Sequence, residues 1–291
     1  MSALFDFFDG VDVISPAQEA LCYEAIWAEI NGVRFKDLGE RIQKRLPSDA
    51  CAHIPGPQLK IIREFLEHHE TYKFDVLVRE TADYPERLRV LDAPLLYYRG
   101  DISLLSSPCV SVVGARKASE RGKDAARLIA SSLSIEGYTI VSGLAAGIDA
   151  AAQSQIVYHS SGRTIGVIGT PISNAYPKEN LSLQLEIAKK HLLISHVPFY
   201  KYSRQDFRIN RGFFPERNRI MAALSKATII VEASDTSGSL IQAREAFRLG
   251  KKVIILKPSY DNPRLSWPKT YVKRGAFVVE NAGEIKEILG K

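Results

Sequence analysis

Four short stretches of this chain carry groups suited to holding anions, and each follows a run rich in Val and Ile. Gly114-Ala115-Arg116-Lys117 comes after residues 110–113 and leads to Ser119, where a helix should begin. Glycine lets the backbone turn sharply, a helix N-terminus offers N–H groups, and the planar arginine fork suits phosphate. The same residues also describe a tight turn beside a surface arginine. Ser142-Gly143-Leu144-Ala145-Ala146-Gly147-Ile148-Asp149 follows residues 138–141. Its small side chains allow either close approach of a ligand or tight packing of a helix on a sheet. Asp149 fits a hydrogen bond to a sugar or base, or a carboxylate at a helix start. Residues 164–168 lead to Gly169-Thr170-Pro171 and then to Tyr176-Pro177-Lys178-Glu179-Asn180. There Lys178 and Asn180 either face an anion or solvate and cap a helix. Residues 228–231 lead to Ser237, Gly238 and Ser239, which make either an anion cradle or an N-cap.

A fifth stretch, residues 199–226, has a different character. It holds seven basic residues (Lys201, Arg204, Arg208, Arg211, Arg217, Arg219 and Lys226) against two acids, Asp206 and Glu216. Six aromatic rings are interleaved with them: Phe199, Tyr200, Tyr202, Phe207, Phe213 and Phe214. Charges that follow phosphates and rings that stack on bases suit single-stranded nucleic acid. The competing reading is a basic loop whose rings anchor a core, which is expected of at least one of Phe213 and Phe214. Arg217 and Arg219 are two positions apart, so on a helix they face different ways. One of them at most should meet a ligand directly while the other orients a neighbour.

The elements that must position these stretches follow from the hydrophobic rhythm. After about residue 105, strand-length Val/Ile runs alternate with helical patterns at 120–133, 148–158, 181–190, 216–225, 239–249 and 283–289. The runs lack polar alternation, as strands covered on both faces should. Short connections through helices imply right-handed crossovers and a doubly wound, mostly parallel α/β sheet. Such sheets bind ligands beyond the carboxyl ends of their strands, where the anion-holding stretches lie. Residues 16–70 instead read as helices, with Ala20, Tyr23, Trp27 and Ile30 at helical spacing and Pro55-Gly56-Pro57 as a break. The expected organisation is a helical domain over 1–72 and the sheet domain over 73–291.

Composition narrows the function classes. The chain has 291 residues, 45% hydrophobic and 25% charged, which supports a sizeable core and excludes a disordered or collagen-like chain. No run approaches the ~18–20 apolar residues of a membrane span. The first ten residues, with Asp6 and Asp9, do not read as a signal peptide. Cys22, Cys51 and Cys109 lie far apart, which suits three thiols in a reducing cytoplasm and no metal cluster. The net charge of +6 is uneven: residues 1–80 carry −5 and residues 81–291 carry +11, of which 199–226 contributes +5. A basic body of this kind suits a polyanion or is a solvated surface. There is no GxGxxG and no GxxxxGK[ST], so neither a nicotinamide nor a Walker-type nucleotide cofactor is expected.

Taken in order, these motifs resemble the DprA/Smf family of bacterial DNA-processing proteins. The resemblance spans about residues 80–290. It rests on Tyr84-Pro85-Glu86-Arg87-Leu88, Leu96-Tyr97-Tyr98-Arg99-Gly100-Asp101, Val113-Gly114-Ala115-Arg116 and Ser142 to Asp149. It continues through Tyr176-Pro177, Arg217-Asn218-Arg219-Ile220-Met221-Ala222-Ala223-Leu224-Ser225 and Ser237-Gly238-Ser239-Leu240. It implies an extended Rossmann-like domain with a small N-terminal helical domain, forming dimers and binding single-stranded DNA without cutting it. It also implies protection of incoming strands and help in loading a RecA-type recombinase during natural transformation. Arg116, Lys178, Lys201, Arg217 and Arg219 would then contact phosphates. Gly114, Ser142, Gly143, Ser237 and Gly238 would supply backbone or hydroxyl contacts, and Phe214 is a candidate stacking ring. Lys117, Asn180, Asn218 and Ser239 complete the candidate set.

The chain departs from the family's pattern at three places. Ala151-Ala152-Gln153 stands where an Ala-His pair is common, Ser195-His196 where Ser-Glu is common, and Gly169-Thr170-Pro171 at a glycine-rich turn. No winged-helix tail is expected. Two further readings compete. One is a phosphoribohydrolase-like enzyme of the same superfamily, disfavoured because Ile241-Gln242 falls where the catalytic Glu would stand and Glu245 comes about a turn later. The other is a nucleotide-binding sensor in a defence or mobile-element setting.

Overall fold

The computed structural model describes residues 15–68 and 74–290. The signal-peptide reading falls on residues outside that range. Four helices come first: α1 (Pro16–Glu29), α2 (Phe35–Ile42), α3 (Pro47–Ala50) and α4 (Gly56–Glu67). Ser15 caps α1 by accepting from the Gln18 amide, and Pro16 sits at its first position, where its missing N–H costs nothing. Then come β1 (Asp75–Val78) and β2 (Leu95–Gly100), an antiparallel pair. The alternating part follows: β3 (Cys109–Val113), α5 (Glu120–Ile135), β4 (Thr139–Ser142), α6 (Ile148–His159), β5 (Arg163–Ile168), α7 (Leu181–Lys190) and β6 (Leu192–Ser195). Three helices cover the aromatic–basic stretch: α8 (Phe199–Arg204), α9 (Phe207–Asn210) and α10 (Phe213–Leu224). The chain continues with β7 (Ala227–Ile230), α11 (Ser239–Arg248), β8 (Lys252–Leu256), α12 (Lys257–Tyr260), α13 (Trp267–Lys273), β9 (Phe277–Val279) and α14 (Ala282–Gly290).

Two compact units result, and they do not follow the expected boundary at residue 72. One comprises residues 1–99, 169–174 and 194–216; the other comprises 100–168, 175–193 and 217–291. In the first, α1 is buried almost all round, so its core is not a single stripe. Cys22 and Cys51 are brought together there as a disulfide with 5.6 Å between their Cα atoms, which corrects the expectation of three separate thiols. Helix packing joins residues that are 29 positions apart in sequence.

The second unit is a parallel sheet in the order β5-β4-β3-β7-β8-β9. Strands β3, β4 and β7 are buried along their whole length, which is why their sequences are rich in Val and Ile and carry no charge. Helices α5 and α6 place Ala126, Ile129, Ala130, Leu133, Ala152 and Ile156 in one core with Val110, Val112 and Ile140. The strand order reverses between β3 and β7, the switch point at which doubly wound sheets leave a crevice. No helix among the described residues is long and apolar enough to cross a membrane.

Candidate nucleic-acid interface

The turns beyond β3, β4 and β7 meet at that crevice in the second unit. Gly114 sits so close to the Glu232 carbonyl and the Ile148 side chain that a Cβ would lie 2.6 Å from each. Its glycine is therefore required by packing. At the start of α5, Ser119 accepts from Gly122 N–H at 3.0 Å. The Glu232 carboxylate in turn accepts from the Ser119 amide (3.2 Å) and hydroxyl (2.7 Å). This chain's own carboxylate thus occupies the helix N-terminus that the sequence offers to an external anion.

The turn after β4 is closed in a similar way. Asp149 accepts from the Gly143 amide at 3.1 Å, and burial raises its carboxyl above the ordinary range while Arg217 opposes that rise. Ser142 donates its hydroxyl to the Val112 carbonyl at 2.7 Å. Arg217 is 5% exposed and donates from Nη1 to the Gly143 (2.6 Å) and Val167 (3.1 Å) carbonyls. Burial lowers it to about 10, against the pull of Asp149, so it stays charged at neutral pH. A Cβ on Gly143 would lie 1.5 Å from that Nη1. Gly143 and Arg217 therefore require each other, and neither is placed to grip a ligand. Gly147, at φ +81, supplies the left-handed turn into α6, with the Ala115 carbonyl pressed against its Cα.

The exposed cations form a separate group. Arg116 and Lys117 are exposed, and the Arg116 guanidinium lies 5.8 Å from the Tyr176 ring centroid. Lys178 is exposed in a short 3-10 turn, and Asn180 at its end donates to the Leu144 carbonyl at 2.8 Å. Arg219 has a side chain 40% exposed, 4.0 Å from the Glu245 carboxylate. Asn218 is buried and donates to the Gly238 carbonyl at 3.0 Å. The Ser237 and Ser239 hydroxyls pair at 2.7 Å, and no side chain caps α11. Gly238 is exposed with open space on its Cβ side, so its glycine answers no packing need.

Two candidates, Lys201 and Phe214, belong to the first unit, and Lys201 is turned inward, which corrects its expected role as a phosphate contact. Lys201 is 4% exposed and donates to the Trp27 (3.1 Å) and Ile30 carbonyls, closing the end of α1. The Ile30 N–H also donates to the Trp27 carbonyl, and the buried ammonium adds a cation at the C-terminal end of the helix, where the dipole favours it. Phe214 is half-buried with its ring against Gly169, where a Cβ would lie 2.6 Å from it. Phe213 is fully buried against Trp27 and His196, as expected of one ring of the pair.

The family model for DNA recombination-mediator protein A matches residues 75–290. The chain belongs to that family. DNA processing protein DprA of Streptococcus pneumoniae is 40% identical over 265 residues, covering 87% of this chain and 90% of that protein. DprA of Bacillus subtilis is 35% identical, with 72% and 69% covered. Protein Smf of a Synechocystis strain is 36% identical over 78% of this chain, which spans 57% of that protein's length. Among solved structures, S. pneumoniae DprA aligns with a TM-score of 0.72 at 28% identity, covering 92% and 97%. DNA processing protein A of Helicobacter pylori, described with a single-stranded DNA binding mode, aligns at 0.63 and 29% identity, covering 75% and 96%.

The positions at which this family member departs from the common pattern have structural work. The Gln153 amide oxygen accepts from Leu144 N–H at 3.0 Å, and its nitrogen donates to Thr164 and to the Ile165 carbonyl. This holds Leu144, a non-glycine at φ 55, in its left-handed conformation. His196 is buried edge-on against Phe35 and Phe213. Ser195 donates to the Thr170 carbonyl at 2.6 Å. The sequence reading named Gln153 only as a departure from the family pattern and gave no role to Glu232. A carboxylate just beyond β7 was the only signal for the latter, and its partner lies 113 residues away.

Proposed function

We propose that this chain binds single-stranded DNA without cutting it, using the exposed cations Arg116, Lys117, Lys178 and Arg219 together with the N-terminus of α11. The observation that carries the reading is the filled switch point. Glu232 occupies the site where a pyrophosphate would sit on α5, and Asp149 engages the amides of the next turn. The remaining anion-holding groups are side chains spread along an edge, which suits a series of phosphates better than one nucleotide. The DprA relatives, one of them described with a single-stranded DNA binding mode, support the same reading.

A non-catalytic role fits the residues after β7. Gln242 is buried and donates to Thr228, and Glu245 is paired with Arg248 at 2.5 Å and 2.9 Å. In the cytoplasm, such a protein would protect incoming strands and assist loading of a RecA-type recombinase, working as a homodimer. A labelled oligonucleotide titrated at two salt concentrations, with mononucleotides as competitors, tests the reading. Tight, salt-dependent oligonucleotide binding that mononucleotides fail to displace is expected. Preference for a mononucleotide would favour the sensor reading, and release of base from nucleoside monophosphates would favour the hydrolase.

A further inference from the structure

The first unit contains a recess of 310 Å³ that the strand-binding edge does not use. Its volume lies at the low end of ligand clefts, which run roughly 300–1,000 Å³, so it fits one base-sized group. Phe199, Tyr202 and Phe207 supply aromatic walls, and Gln205 and Asn210 supply amides. Phe207 is 50% exposed, while Phe199 is buried in an aromatic cluster with Tyr97.

The Asn210 amide is half satisfied. Asn210 is 5% exposed, and its Nδ2 donates to the Tyr202 (2.9 Å) and Gln205 (3.4 Å) carbonyls. Those two acceptors fix which end of the amide is nitrogen. Its Oδ1, and Oε1 of Gln205, are shielded from water and have no hydrogen-bond partner among the described residues. Two carbonyl acceptors in such a place call for N–H donors. Asp206, the one acid between 199 and 215, is already engaged with the Arg208 and Ile209 amides. Exposed Arg204, Arg208 and Arg211 lie in the same stretch and suit the phosphate of whatever enters.

We propose that this recess reads a nucleobase carrying an exocyclic amino group, with Phe207 against its face and the amide oxygens of Gln205 and Asn210 accepting from the amino group. Thymine and uracil present carbonyl oxygens on both sides of their single N–H, which would set oxygen against oxygen. Cytosine offers an amino group in place of one of those carbonyls. A donor reaching the two oxygens must displace the rim, of which Phe207 is the exposed part. The ligand class rests on the strand-binding reading, and the test distinguishes a base in a strand from a free nucleotide.

The test uses the full chain and labelled oligo(dC), oligo(dT) and oligo(dU) of equal length, with dCMP and dTMP measured separately by calorimetry. The uracil strand separates the effect of the thymine methyl from that of the carbonyl. Oligo(dC) is expected to bind about tenfold more tightly than oligo(dT) or oligo(dU), the ratio that one such polar discrimination gives. Gln205→Met keeps the side-chain size, removes the acceptor and should bring the ratio towards one with oligo(dT) affinity unchanged. Phe207→Ala should weaken all three strands. Equal affinity for all strands in the native chain, or a ratio untouched in Gln205→Met, overturns the proposal. If no strand binds, the strand-binding reading fails by itself. A dCMP preference over dTMP that Gln205→Met abolishes would then keep the recess as a nucleotide site, and no such preference would overturn it.

Discussion

Arg116 and Arg217 are one residue type with opposite duties. Arg116 is exposed beside the Tyr176 ring, whereas Arg217 is buried on two backbone carbonyls and beside Asp149. Removing a buried charge strands its partners and costs about 3–5 kcal/mol, whereas trimming an exposed arginine costs little. Arg116→Ala should keep the melting temperature while lowering oligonucleotide affinity, and Arg217→Ala should lower the melting temperature by several degrees. Thermal melts alongside binding titrations check both; an unchanged melt for Arg217→Ala would contradict its placement. Gly143→Ala puts a Cβ where the Arg217 guanidinium lies, so it should destabilise to a similar extent. Because both changes break one contact, the double variant should be no less stable than the worse single one, a non-additivity that denaturant unfolding reads directly.

At the scale of elements, α5 and α1 each depend on a distant side chain. Glu232 caps α5 from beyond β7, so Glu232→Ala should cost about 1 kcal/mol. It should also open the α5 N-terminus to phosphate, and phosphate should then raise the melting temperature of the variant more than that of the native chain. Helix α1 is tied through Glu24, which accepts from the Tyr97 hydroxyl (2.5 Å) and from the Phe199 (2.8 Å) and Tyr200 (2.9 Å) amides. Burial outweighs those three donors and lifts its carboxyl from 4.5 to about 7. Between those two values the folded chain holds a proton that the unfolded chain has released, so the Glu24 contribution to stability falls as pH rises through that window. The loss amounts to about 3 kcal/mol and is complete somewhat above pH 7. Urea midpoints measured from pH 5 to pH 8 should fall accordingly, and Glu24→Gln should flatten that slope.

For the whole molecule, the uneven charge sets the salt response. Each phosphate neutralised on a single strand adds about 0.7 to the slope of log affinity against log salt. Four exposed cations at the strand edge therefore predict a slope near −3, and Arg116→Ala should reduce its magnitude by about 0.7. A slope near zero would remove the edge as the binding surface. Much of the sheet was legible in the sequence, because strand positions buried on both faces exclude charge, and the buried stretches of β3, β4, β5, β7 and β8 are rich in Val and Ile and carry no charged residue. Helix α7 falls at 181–190 as its periodicity indicates, and Arg217 and Arg219 face different ways as their spacing indicates, the first buried and the second partly exposed. The compact units were not legible, since residues 169–174 and 194–216 join the N-terminal helices through contacts such as Lys201 on α1, more than 170 positions apart. Local periodicity determined which segments become strands and helices, and local chemistry determined which turns attract anions. Only the tertiary structure decided which of those turns are already filled by Glu232 and Asp149, and which cations face inward, because the partner that fills or buries each group comes from elsewhere in the fold.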